Sequence, residues 1–188
     1  MNEMKELQRL REGNKRYLAA ESPLGDVSPE LRETTAREGQ KPYAVIVTCS
    51  DSRVIPESIF SAGIGELFVI RSAGFTIDKT ALGSIEYAVE HLGVKLVVVL
   101  GHTHCGAVGT ALAHEEVHGK LGAIINEISR AIGQEEDADR AVELNVKHSC
   151  EVIVKNGIPA EVFGAVYHID TGKVEFKYKV ALAPNSHK

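Results

Sequence analysis

The sequence predicts an α/β fold: a mainly parallel central β-sheet flanked by helices, with an antiparallel C-terminal edge strand. Three observations carry this. Short apolar runs rich in β-branched residues stand at 43–48, 67–70 and 96–100, the pattern of strands buried on both faces. A helical pattern at 79–92 separates the second run from the third, and strands alternating with helices argue for crossovers in a parallel sheet. Near the C-terminus, Asp170-Thr171-Gly172 lies between segments 162–169 and 173–180, a hairpin signal.

Each element has a local reason. Residues 2–20 read as an amphipathic helix, with Leu7, Leu10, Tyr17 and Leu18 near helical spacing and charges between them. Residues 22–27, with Pro23 and Gly25, form a connector. Ser28 followed by Pro29 is an N-cap with proline at the first helical position, and that helix should end near Gly39. Together, residues up to about 38 read as a helical arm ahead of the sheet. In 79–92, Ala81, Ile85, Ala88, Val89 and Leu92 share one helical face. Residues 119–156 read as helix broken around Gly133 and ended by Gly157, with Glu135-Glu136-Asp137 as a solvated helix start. Val142, Val146 and Cys150 follow at helical steps, with Ile153 and Val154 beyond, so Cys150 reads as core. Without an internal repeat or a linker, residues 1–188 read as one domain.

Composition excludes several classes. With 188 residues, 44% hydrophobic and 25% charged, the chain has ordinary globular usage. It should bury roughly 70% of the surface of its unfolded form, so no disulfide staple is needed. Three cysteines are an odd number for a disulfide framework. A formal charge of −5 argues against a nucleic-acid partner. The charged N-terminus lacks the apolar stretch of a signal peptide, and the run 96–100 is too short to span a bilayer. The expectation is a cytoplasmic protein in a reducing compartment, where cysteines serve metals or catalysis more often than structure.

The chemistry sits where two buried strands end. The first runs into Cys49-Ser50-Asp51-Ser52-Arg53 and the second into Gly101-His102-Thr103-His104-Cys105-Gly106. Ligands in open α/β sheets gather beyond the carboxyl ends of strands. Two thiolates and one imidazole suit Zn²⁺, and three protein ligands leave a fourth position open, as in catalytic sites. Cys49 stands alone, and His102 and Cys105 follow more than fifty residues later. Such a site needs a preformed sheet, unlike the local knuckles of structural zinc. His104 is read as a non-ligand. Asp51 can orient a metal-bound hydroxide or bind the metal as a fourth ligand. Arg53 can hold it away through a bidentate pair.

These two motifs, with Asp51-Ser52-Arg53, resemble the β-class carbonic anhydrases. The resemblance extends over nearly the whole chain, through Asn14-Lys15-Arg16-Tyr17, Gly39-Gln40-Lys41-Pro42, Glu66-Leu67-Phe68-Val69-Ile70-Arg71 and the helix around Ser84-Ile85-Glu86-Tyr87. It implies a zinc lyase that reversibly hydrates CO₂ to bicarbonate and a proton. Cys49, His102 and Cys105 would be the zinc ligands, zinc-bound hydroxide the nucleophile, and Asp51 and Arg53 the dyad that orients or gates it. It implies substrate-binding roles for Gln40, Phe68 and Tyr87. It also implies a homodimer or higher even oligomer with the site near the dimer interface. Two positions depart. Many relatives have asparagine where this chain has Ser72 and Phe75, and Phe75 should narrow or dry the pocket. The chain has no tryptophan, which argues against the second, inhibitory bicarbonate site of some members. Alternatives stay open: hydrolysis of carbonyl sulfide or carbon disulfide on the same site, or a non-catalytic zinc protein with Asp51 as fourth ligand.

Overall fold

The computed structural model of the chain describes residues 4–19 and 25–180. Helices α1 (Lys5–Leu18) and α2 (Pro29–Glu38) precede strand β1 (Ala44–Cys49), the one-turn helix α3 (Pro56–Ile59) and β2 (Leu67–Ser72). A 3₁₀ turn at Ala73–Phe75 leads to α4 (Lys79–Glu86), which runs on as a π turn at Tyr87–His91. Then come β3 (Leu96–His102), α5 (Gly106–Leu112), α6 (Gly119–Ile132), α7 (Ala138–Lys155), β4 (Glu161–Tyr167) and β5 (Val174–Val180).

Among the described residues the strands form one five-stranded sheet in the order β2-β1-β3-β4-β5. All pairs are parallel except β4 with β5. This is the expected fold class, including the antiparallel C-terminal edge. The chain steps from β1 outward to β2 and then crosses back to β3 on the other side of β1. That reversal makes the carboxyl ends of β1 and β3 a topological switch point, where a crevice opens. The register Thr48↔Leu100 sets the ends of these two strands side by side.

β1 and β3 are buried along their whole lengths, which is why they read as continuous apolar runs. Alternation divides their side chains between two layers. Val45, Val47, Cys49, Val97 and Val99 join α4–α7 through residues such as Ile85, Val108, Ile128 and Val142. Ala44, Ile46, Leu96, Val98 and Leu100 join Leu7 and Leu10 of α1 and Ile59 of α3. α1 is therefore docked on the sheet, and Asn14 locks it there. The buried Asn14 amide donates to Ile59 O at 3.2 Å and Gly172 O at 2.9 Å and accepts from Val174 N at 2.9 Å.

Caps fall where side-chain chemistry placed them. Ser28 Oγ accepts from Leu31 N and Gly39 ends α2 at φ 82°. Gly133 ends α6 at φ 61°, and Asp137 caps α7. β1 lies one residue later than expected, so Cys49 is its last residue. The helix expected over 79–92 loosens into the π turn, with Val94 N–H reaching back to Ala88 O. α3, α5 and the 3₁₀ turn were not assigned from the sequence, because three to seven residues carry too little periodicity to read. Of the predicted helix 2–20 and connector 22–27, residues 2, 3, 20 and 22–24 lie outside the described residues.

Candidate metal centre

Cys49 ends β1, His102 ends β3, and Cys105 is the residue before α5. Their donor atoms all lie within 4.8 Å of one another, and all three residues are buried. Among the described residues this is the group of histidine, cysteine and carboxylate side chains close enough to share an ion. The imidazole is already oriented. His102 Nδ1 is 2.9 Å from Thr103 O. A carbonyl only accepts, so Nδ1 carries the proton and Nε2 keeps its lone pair. Nε2 is buried and has no hydrogen-bond partner among the described residues. A buried, unpaired ring nitrogen beside two thiols is costly unless something fills the gap. Two sulfurs and one nitrogen are the donor set zinc prefers, so the residues present fit that metal.

The loop after β1 is braced from three sides. Arg53 holds the Asp51 carboxylate through two side-chain bonds, Nε to Oδ1 at 2.9 Å and Nη2 to Oδ2 at 2.7 Å. Arg71, at the end of β2, donates to Cys49 O at 3.1 Å and Asp51 O at 2.8 Å. Gly74 N–H points at Cys49 Sγ, 3.4 Å away. Thr103 is fixed in turn, its N–H on Tyr167 O at 3.0 Å and its Oγ1 accepting from Ile169 N at 3.1 Å.

The electrostatics follow the contacts. The Arg53 guanidinium holds the Asp51 carboxyl well below the usual carboxylate range. Cys49 is drawn far below an ordinary thiol chiefly by the Cys105 thiol donating to it, with the backbone N–H groups of Asp51 and Gly74 adding to this against the opposing effect of burial. Cys105 moves the opposite way, because its proton serves Cys49 and burial opposes a second anion. The pair thus favours one thiolate at Cys49, and a cation between the two sulfurs would favour both.

Other expected positions lie elsewhere. Gln40 is exposed and precedes the N-terminal end of β1, whereas the cluster sits at the carboxyl end. Phe68 pairs with Val45, four registers short of the Cys49↔Ser72 pair, or about 13 Å along the strand. Its ring meets Tyr87 at 6.2 Å between centroids, and Tyr87, 48% exposed, meets His91 at 5.4 Å. Within one chain, none of these three is brought to the cluster. Phe75 is fully buried in the core layer that contains Cys49, Cys105 and Val146. Ser72 Oγ donates to Thr76 O at 2.9 Å. His104 is exposed: alternation would return it to the side of His102, but its φ of 56° ends the strand and turns it outward. Cys150 is fully buried, and burial pushes its thiol up to about 12. Arg71, Gly74 and Thr103 received no role from the sequence. For Arg71 the available signal was a charge at the very end of an otherwise apolar strand.

Comparison with known proteins agrees with this geometry. The carbonic anhydrase family model matches residues 44–174, more than half of the chain. Carbonic anhydrase 2 of Mycobacterium tuberculosis is 38% identical over 183 residues, covering 87% of this chain and 87% of that protein. The crystal structure of a β-carbonic anhydrase from Aspergillus fumigatus aligns with a TM-score of 0.71 and 27% identity, over 96% of this chain and 93% of that one. One of the tetrameric β-carbonic anhydrases of Sordaria macrospora shares the fold, with a TM-score of 0.73 at 22% identity over 95% of this chain and 100% of that one. A matched segment that runs from the first residue of β1 to the first of β5 takes in both thiols and the imidazole between them, and the chain belongs to the β-class carbonic anhydrase family, whose general reaction is the hydration of CO₂.

Proposed function

We propose that the chain is a zinc enzyme that reversibly hydrates CO₂ to bicarbonate and a proton, with Cys49, His102 and Cys105 as the metal ligands. One observation carries the reading: the unpaired Nε2 of His102 faces two buried sulfurs while Arg53 engages the nearest carboxylate. Zinc held by these donors supplies the Lewis acidity that makes water a nucleophile near neutral pH. The chain's own groups do the rest. The Thr103 carbonyl keeps the proton on His102 Nδ1 and so fixes which nitrogen binds. Asp51 stays ionised, and its free lone pairs accept a hydrogen bond from the attacking water and aim its oxygen at the carbon. Arg53 keeps Asp51 out of the ligand position, which favours the catalytic reading over one with Asp51 as fourth ligand.

The reading includes an assembly of at least two copies with the site near their interface. Support comes from Gln40, Phe68 and Tyr87, which lie away from their own chain's cluster but outward enough to serve another copy. The Sordaria proteins of the same fold are tetrameric. Residues 1–188 are taken as one domain, since one core layer draws on both Leu7 and Val174. All three cysteines are free, which suits the cytoplasm. No helix among the described residues is long and apolar enough to cross a membrane.

Stopped-flow CO₂ hydration across pH, with zinc content measured on the same sample, tests the reading. Activity should scale with bound zinc. A zinc-loaded protein inactive toward CO₂ at every pH rejects it, and parallel assays with carbonyl sulfide and carbon disulfide then identify the alternative substrate.

A further inference from the structure

Helix α7 carries two polar side chains that the chemistry above does not use. Asn145 is 1% exposed and Ser149 is 2% exposed, one helical turn apart on the same face. Their neighbours on the helix, Val142, Val146, Cys150 and Ile153, are apolar core. Both donate to consecutive carbonyls of the 3₁₀ turn after β2: Asn145 Nδ2 to Gly74 O at 2.9 Å, and Ser149 Oγ to Phe75 O at 3.2 Å. Burying an amide and a hydroxyl in such a layer is tolerable only because they are paired.

The turn they grip is one the chain would not adopt unaided. Gly74 and Phe75 are consecutive left-handed residues, at φ 64° and φ 47°. For phenylalanine that conformation is strained and persists only where the surroundings hold it. A Cβ on Gly74 would lie 2.5 Å from Ile128 Cδ1 and 3.2 Å from Ala107 Cβ, so the neighbours would have to shift, and the positive φ favours glycine in any case. Held this way, the turn directs the Gly74 N–H at Cys49 Sγ.

We propose that Asn145 and Ser149 are positioning residues for the metal centre: by holding the 74–75 turn they keep the Gly74 N–H on the Cys49 sulfur, so that helix α7 sets how much charge this thiolate gives the metal. The inference rests on the metal site proposed above. An N–H donor draws electron density from a thiolate and fixes the direction of its remaining lone pairs. Without the two side chains the turn relaxes and the donor swings away, so the sulfur becomes more electron-rich but poorly aimed, and the lost orientation outweighs the added donor strength.

The test uses the full chain as wild type, Asn145→Ala, Ser149→Ala, Ser149→Thr and Ile153→Ala. Each protein is loaded with cobalt(II) for its thiolate-to-metal charge-transfer band, and zinc affinity is measured by chelator competition. Ile153 is a fully buried core residue of the same helix that makes neither bond, so its truncation controls for lost stability. Asn145→Ala and Ser149→Ala should move the band to lower energy and weaken zinc about tenfold. Ser149→Thr, which keeps the hydroxyl, should restore both, and Ile153→Ala should lower only the melting temperature. Folded Asn145→Ala and Ser149→Ala proteins with the wild-type band and affinity overturn the proposal, as does an equal shift in Ile153→Ala. If Asn145→Ala does not fold, the serine pair decides alone. Wild type that takes up neither metal refutes the metal site itself, a separate result.

Discussion

Arg53 closes on Asp51 with two parallel N–H···O bonds, and its own backbone N–H adds a third to Oδ1 at 2.9 Å. The same Nη2 reaches His104 O at 3.2 Å, so one guanidinium ties the loop after β1 to the loop after β3. Fork-on-fork pairing is the strong and directional form of a charged hydrogen bond. Two of the three bonds fall on Asp51 Oδ1 and one on Oδ2, so the remaining acceptor capacity lies on Oδ2.

Asp51→Ala should keep its zinc and lose activity by about a hundredfold or more, the usual contribution of a positioned proton-handling group. Metal analysis and stopped-flow rates on one preparation check this. A variant with wild-type turnover removes Asp51 from the mechanism.

Cys49→Ala and His102→Ala should each lose both zinc and activity while keeping the sheet, because both lie at strand ends and the interior residues of β1 and β3 are unchanged. Circular dichroism alongside metal content separates metal loss from unfolding. A purified Cys49→Ala protein that retains zinc and activity would falsify the ligand assignment.

Asn14→Ala should destabilise the chain without touching the centre. It leaves Ile59 O, Gly172 O and Val174 N unpaired in the buried joint between α1, α3 and the β4–β5 hairpin. At about 1 kcal/mol for each lost bond the cost is about 3 kcal/mol, or about 6–12 °C in melting temperature for a chain of this length. A shift under about 2 °C shows that α1 is not held this way.

Acid stability should depend on the network joining α7 to β5. Lys177 Nζ lies 2.5 Å from Glu143 Oε1 and 3.2 Å from Glu175 Oε2, and Lys173 lies 2.6 Å from Glu175 Oε1. Hydrogen bonding from Lys177 lowers Glu143, and Lys173 with Lys177 draws Glu175 down to about 2. A depressed carboxylate contributes stability above its unfolded pKa of 4.5 that is lost as pH falls toward 2. Lys177→Met should therefore melt lower near neutral pH, by no more than about 1 kcal/mol for a part-exposed cluster. Its gap from wild type should close below about pH 4. A gap that stays constant between neutral and acid conditions rules the network out.

Local chemistry made much of the molecule readable in advance. The apolar runs of β1 and β3, the cap at Ser28, the helix start at Glu135-Glu136-Asp137 and the hairpin at Gly172 each rest on a few adjacent residues. Cys49, His102 and Cys105 were legible because each follows a recognisable strand, and strand ends in a parallel sheet converge. The short α3, the π turn at Tyr87–His91 and the left-handed pair Gly74-Phe75 were not, since their conformations answer to neighbours distant in sequence.

Residue order alone thus determined the sheet, its crossovers and the three donors, because periodicity and turn chemistry act within a few residues. Tertiary structure decided how closely the three donors converge, the tie from Arg53 to His104 O, the bracing by Arg71 and the reach of Asn145 and Ser149 to the turn beside Cys49. Each of these depends on distances between segments that meet only once the sheet has formed, and no local pattern encodes them.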